Sequence, residues 1–123
     1  MNIRILWSAV LTSLLGVAAA NAECVYPKAP DTMPNGATAT EAEMIEGMKA
    51  VKAYNTEVTA YLSCLEMEMN TRIEAAGPDA PKDQVDSIKA IHGKRHNAAV
   101  EELEAHASRF NEQVKTYKGR SKS

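Results

Sequence analysis

The sequence lacks most of the patterns that indicate a particular chemistry. Fourteen lysine and arginine residues stand against sixteen aspartate and glutamate residues, so the formal net charge is −2 and no basic footprint for a nucleic acid is present. Glycine-rich phosphate loops are absent, and neither cysteine has a histidine near it in the sequence. We therefore expect a protein that is not an enzyme, needs no cofactor and does not bind nucleic acid.

Long hydrophobic runs are absent except at the N-terminus. Residues 5–20 are almost entirely apolar, follow Arg4 and precede the small-residue motif Ala20-Asn21-Ala22. This run is shorter than the roughly 18 residues or more that indicate a membrane-spanning helix, and its flanks are typical of a secretory signal peptide. Glu23 stands where a lipoprotein signal needs a small residue. We expect a signal peptide over 1–22, cleavage after Ala22, no stable membrane anchor, and a periplasmic or secreted location.

Cysteine is scarce, with only Cys24 and Cys64 in the chain. Disulfides persist in exported proteins, and these two residues allow a single intramolecular pairing. Free thiols and intermolecular pairing are the alternatives. Closing a loop of about 40 residues stabilises a fold by roughly 4 kcal/mol in the chain-entropy estimate.

A Pro-rich segment, residues 23–39, follows the predicted cleavage site. Its prolines rule out a continuous helix and favour extended backbone. An extended segment of this length spans about 50 Å, which is enough to bring Cys24 to Cys64 along the first predicted helix. We predict that the segment runs antiparallel to that helix, with Tyr26, Tyr54 and Tyr61 between the two.

The remaining chain predicts an all-α fold with helices at 40–76 and 81–118. Thr40 and Glu43 match a capping box, and Gly77-Pro78 ends the first helix. Gly119 is expected to close the second helix and to leave residues 119–123 as a basic tail. Because the link is only about five residues long, the helices should form a long antiparallel hairpin with coiled-coil character.

Charge differs between the two halves of the predicted mature chain. Residues 23–76 contain nine acidic and four basic residues, whereas residues 77–123 contain seven acidic and nine basic residues. Opposite net charges suit two helices that lie against each other, although individual exposed pairs contribute little.

Apolar residues recur at a spacing of three or four along the first predicted helix. We interpret this stripe as a seam that faces the second helix, a protein partner or another copy of the chain. Asn55 is its one polar member, and it either sets the register of an assembly or faces solvent. The seam comprises Met44, Met48, Val51, Asn55, Val58, Leu62, Leu65 and Met69.

Three histidines of the second predicted helix offer an alternative function, the binding of a metal ion. His92 and His96 are four residues apart on one helix face, and His106 lies on roughly the same side. Gly93 replaces the glutamate that the zincin motif needs, and Lys94 and Arg95 add positive charge. Surface histidines are therefore the preferred interpretation.

The region from Cys24 to Glu66 resembles small uncharacterised exported proteins of proteobacteria. The similarity is carried by Cys24, Tyr26-Pro27, Pro34-Asn35-Gly36, Val51-Lys52-Ala53-Tyr54 and Tyr61-Leu62-Ser63-Cys64. The resemblance implies an exported, disulfide-bonded helical fold and implies no activity. We expect a non-enzymatic interaction or structural module that binds a protein partner or forms homo-oligomers.

Overall fold

Two long helices packed against each other make up most of the fold. The computed structural model describes residues 23–120, and within that range α1 spans Glu41–Ala76 and α2 spans Lys82–Arg120, with no strand. The predicted all-α hairpin is confirmed. Neither helix has a stretch apolar enough to cross a membrane. The predicted signal peptide, residues 1–22, lies outside the described residues, as do residues 121–123.

The start of α1 is fixed by the predicted capping box. The Glu43 backbone N–H donates to Thr40 Oγ1 at 3.2 Å, and the Thr40 N–H donates to Glu43 Oε2 at 2.7 Å. Two backbone donors that lack partners inside the helix are thereby satisfied. At the other end, Gly77 adopts a positive φ of 85° and donates its N–H to the Glu74 carbonyl. This conformation favours glycine because a side chain would be strained there.

The end of α2 differs from the prediction. We expected Gly119 to close the helix after residue 118, but α2 continues to Arg120. The Arg120 guanidinium donates to the Ala39 carbonyl at 2.6 Å and lies over the Tyr117 ring. These contacts hold the last turn against the start of α1 and offset the cost of a helical glycine, which is about 1 kcal/mol relative to alanine.

The core lies along the contact between the helices and forms two clusters. The first surrounds Val58 and Leu65, which are 1% exposed, and the second surrounds Phe110. Two packed helices bury only one stripe of apolar surface on each other. Residues 23–40 bury additional apolar side chains of the helices. Buried members of the first cluster are Tyr54, Val58, Tyr61, Leu65 and Ala99; those of the second are Ala39, Met44 and Phe110.

Residues 23–40, termed here the N-terminal segment, lie along one side of the helix pair. The predicted Cys24–Cys64 disulfide is present, with 5.7 Å between the two Cα atoms. Further along the segment, Pro34 lies against Gly47, so the segment runs antiparallel to α1 as predicted. The Gly36 N–H donates to Gln113 Oε1 at 2.9 Å, which connects the segment to α2 as well.

Tyrosine side chains join the N-terminal segment to both helices. The rings of Tyr26 and Tyr61 meet edge to face at 5.2 Å between centroids. The Tyr26 hydroxyl donates to Glu102 Oε2 at 2.6 Å, and this hydrogen bond, with partial burial, raises the pKa of Tyr26 to about 12. Tyr54 belongs to the same core cluster but meets α2, where its ring packs edge to face on His106.

We predict that removing the disulfide lowers stability while leaving the helices intact. In the double variant Cys24→Ser, Cys64→Ser, the free energy of unfolding should fall by about 2–4 kcal/mol because the unfolded chain regains the freedom of the closed loop. Urea denaturation followed by circular dichroism measures the change. A reducing agent should destabilise the unmodified protein and leave the double variant unaffected. Coincident unfolding curves for the two proteins would contradict the prediction.

A pair of glycine substitutions tests the close approach of the N-terminal segment to α2. A Cβ atom at Gly36 would collide with the Gln113 carbonyl and lie 3.0 Å from the Tyr117 nitrogen. Gly36→Ala should therefore destabilise the fold by about 1–3 kcal/mol, as overpacking does. Gly93→Ala is the matched control, because nothing lies within 4 Å of its Cβ position. That change should stabilise α2 by up to about 1 kcal/mol. The melting temperature should therefore fall for Gly36→Ala and rise for Gly93→Ala. Shifts in the same direction for both variants would contradict the close approach of Gly36 to α2.

Candidate functional site

The helix pair has one covered side and one open side. The N-terminal segment covers the first, and an open groove with a volume of about 560 Å³ runs between α1 and α2 on the second. No residue of the N-terminal segment lines this groove. Its lining residues are Val51, Lys52, Asn55 and Thr56 of α1, with Leu103, Glu104 and Ala107 of α2.

Helix geometry explains why the groove is partly apolar. Tyr54 and Asn55 are about 100° apart around α1, so a helix that buries Tyr54 in the core presents Asn55 on the open side. Val51 packs against the core cluster of Phe110, and Leu103 packs against that of Val58. Both remain only partly buried. The apolar surface of the groove is thus the uncovered edge of the core.

The rims of the groove carry opposite charges. Lys52 lies on the α1 rim and Glu104 on the α2 rim. Within residues 23–120 neither side chain makes an ion pair or hydrogen bond, unlike Lys49, which pairs with Glu46 at 3.0 Å. The groove therefore combines an apolar floor with one unpaired cation and one unpaired anion.

The eight residues predicted as a partner or self-association seam occupy different environments. Of these, Met44, Val58 and Leu65 are buried inside the hairpin, Val51, Leu62 and Met69 are partly buried, and Met48 and Asn55 are exposed. The buried three are covered within the described chain and are not available to a partner. Val51 and Asn55 are the seam residues that line the open groove.

Asn55 does not occupy the position in the helix–helix contact that the spacing assigned to it. Tyr54 is buried there, at 2% exposed, and Tyr61 is buried two turns further on. The N-terminal segment covers that flank of α1, so the buried face is wider than a contact with α2 alone would make it. On α2, Glu104 and Ala107 also line the groove, and no pattern in the sequence identified them.

A second cleft, of about 700 Å³, lies between the N-terminal segment and the first half of α1. Its acidic side chains already have partners, because Glu43 is part of the capping box and Glu46 pairs with Lys49. The other lining residues are Thr32, Met33, Pro34, Asn35, Thr38, Ala39, Ala42, Gly47 and Ala50. None of these other side chains is charged.

The histidines do not form the three-residue site considered from the sequence. His92 and His96 are neighbours, with ring centroids 5.9 Å apart. His106 follows His96 by ten residues, or about 15 Å along the helix, and is buried against Tyr54. Within residues 23–120 no group of three or more His, Cys, Asp or Glu side chains could hold a metal ion. His106 is thus corrected from a metal ligand to a core residue.

The environment of His92 also disfavours a cation. Its Nε2 atom is buried without a hydrogen-bond partner among the described residues, beside a small cavity. Arg72 and Arg95 line the same cavity and both pair with Glu68, at 2.8 and 3.0 Å. Two guanidinium groups for one carboxylate leave the cavity net positive. The remaining histidine pair supplies two ligands, fewer than the usual zinc site.

His106 makes the stability of the hairpin sensitive to pH. Burial lowers the pKa of the His106 imidazole, and the positive charge of Arg109 lowers it further. The unfolded chain therefore binds a proton more readily than the folded chain. The contribution of His106 is complete above its ordinary pKa of about 6.5 and is lost as the pH falls toward the folded-state value.

We predict that His106→Phe reduces the loss of stability on acidification. The free energy of unfolding should decrease between about pH 7.5 and pH 5.5 in the unmodified protein, and less so in the variant. Urea denaturation at a series of pH values measures this slope. His96→Gln is the control, because it removes a histidine that lies outside both core clusters. Equal slopes for the unmodified protein and His106→Phe would contradict the assignment.

Comparison with known proteins does not assign a family to this fold or groove. No family model matches the chain, and neither the curated proteins nor the solved structures contain a significant match.

Proposed function

We propose that the protein is an exported, non-enzymatic interaction module that binds a protein partner through the open groove between α1 and α2. The observation that carries this proposal is the uncovered edge of the core at Val51, Leu103 and Ala107. Within residues 23–120, the N-terminal segment covers the other side of the helix pair and no segment covers this one.

The chemistry of the groove favours a protein over a small molecule. An apolar centre with a polar rim is the usual composition of a protein interface. A partner helix laid along the groove would contact both α1 and α2 and extend the pair into a bundle. The two charged side chains of the groove, Lys52 and Glu104, stand on opposite helices, where they can pair with charges of a protein partner.

An exported location is supported by two independent features. The Cys24–Cys64 disulfide persists in an oxidising compartment, whereas the cytosol keeps such thiols reduced. The sequence before Glu23 has the composition of a signal peptide, with cleavage expected after Ala22. A periplasmic or secreted protein fits both features.

Site-specific photo-crosslinking tests the groove as the binding surface. A photoreactive amino acid at Asn55, which is exposed in the groove, should give a protein adduct in the compartment to which the chain is exported. The same group at Glu57 is the control, because this residue is exposed and lies about 160° from Asn55 around α1. Adducts that are absent at Asn55, or equally abundant at both positions, would refute the proposal.

A further inference from the structure

We propose that the partner in the groove is a second copy of this chain. The two copies are related by a twofold axis parallel to the helices, so that α1 of each copy lies over α2 of the other. This inference rests on the proposed function of the groove and specifies its occupant. The charges of the two helices and of the two groove rims favour this arrangement.

The helices have opposite net charges. α1 contains seven acidic and three basic residues, a net charge of −4, and α2 contains six acidic and eight basic residues, a net charge of +2. Two hairpins can face each other with α1 over α1 or with α1 over α2. Only the second arrangement places the acidic helix of one copy on the basic helix of the other, and like charges across an interface are costly.

The unpaired rim residues select the same arrangement. A twofold axis parallel to the helices exchanges the two rims of the groove and preserves the level along the hairpin. Tyr54 lies against His106 in the antiparallel pair, so Lys52 and Glu104 are offset by only about one helical turn along the hairpin. The axis therefore brings each Lys52 near the Glu104 of the other copy, within reach of these two long side chains. Two ion pairs form between side chains that have no ionic partner within residues 23–120 of a single copy.

The position of the N-terminal segment limits the assembly to two copies. The segment covers the other side of the helix pair through the disulfide and the Tyr26–Glu102 and Gly36–Gln113 hydrogen bonds. Each copy therefore offers one groove. When two grooves face each other, Val51, Leu103 and Ala107 of both copies are buried together and the symmetric interface is closed. The product is a four-helix bundle with one N-terminal segment on each outer face.

A charge exchange tests the arrangement in the chain from residue 23 onward. Sedimentation equilibrium should give the mass of a dimer for the unmodified protein. Lys52→Glu and Glu104→Lys should each raise the dimer dissociation constant about tenfold or more, because symmetry turns two attractive contacts into repulsive ones. The double variant Lys52→Glu, Glu104→Lys should restore the original dissociation constant. Lys49→Glu and Glu101→Lys, which reverse charges outside the groove, should leave it unchanged.

The outcomes separate this inference from the proposed function. Far-UV circular dichroism of each variant establishes that its helices are formed. A monomeric unmodified protein overturns the inference, as does a dimer that the single reversals do not weaken or that the double variant does not restore. If that monomer still gives an Asn55 adduct with a different protein, the groove binds a partner and only self-association fails. A monomer without adducts overturns both proposals.

Discussion

The disulfide between Cys24 and Cys64 is the constraint on which the arrangement of the chain depends. It holds the start of the N-terminal segment two-thirds of the way along α1, at 5.7 Å between Cα atoms. The segment must then return to the α1 cap along one flank of the helix pair. On that path Tyr26 reaches Tyr61 of α1 and Glu102 of α2, so a covalent link to one helix leads to contacts with both helices. The covered side of the hairpin follows from this tether.

Because the N-terminal segment covers one side of the helix pair, the apolar surface that remains accessible lies on the other side. A two-helix hairpin has two grooves, and its apolar stripe is too wide for the contact between the helices alone. The N-terminal segment fills the groove beside Tyr54 and Tyr61, and the groove beside Val51 and Leu103 stays open. This open groove of the described residues is the surface that we propose for binding a partner. The opposite charges of the helices make another copy of the chain a complementary one.

The core also contains a polar contact that limits its stability. His106 is 4% exposed, and the Tyr54 ring beside it carries a buried hydroxyl without a hydrogen-bond partner among the described residues. Unpaired buried polar groups are costly. Burial also raises the pKa of Tyr54 and lowers that of His106, so both side chains are kept neutral. This contact therefore contributes to a decrease in the stability of the hairpin as the pH falls.

The sequence alone determined the local features of this protein. The capping box at Thr40, the glycine after Ala76 and the pairing of Cys24 with Cys64 depend on neighbouring residues or on the absence of another cysteine. Even the separation of His106 from His96 follows from the rise of a helix. Only the tertiary structure decided the features that depend on contacts between distant residues. Tyr54 is buried in place of Asn55. The second helix continues to Arg120 because the Arg120 side chain binds the Ala39 carbonyl. A spacing of three or four residues defines the general direction of an apolar face, but the width of that face depends on which segments of the folded chain cover it.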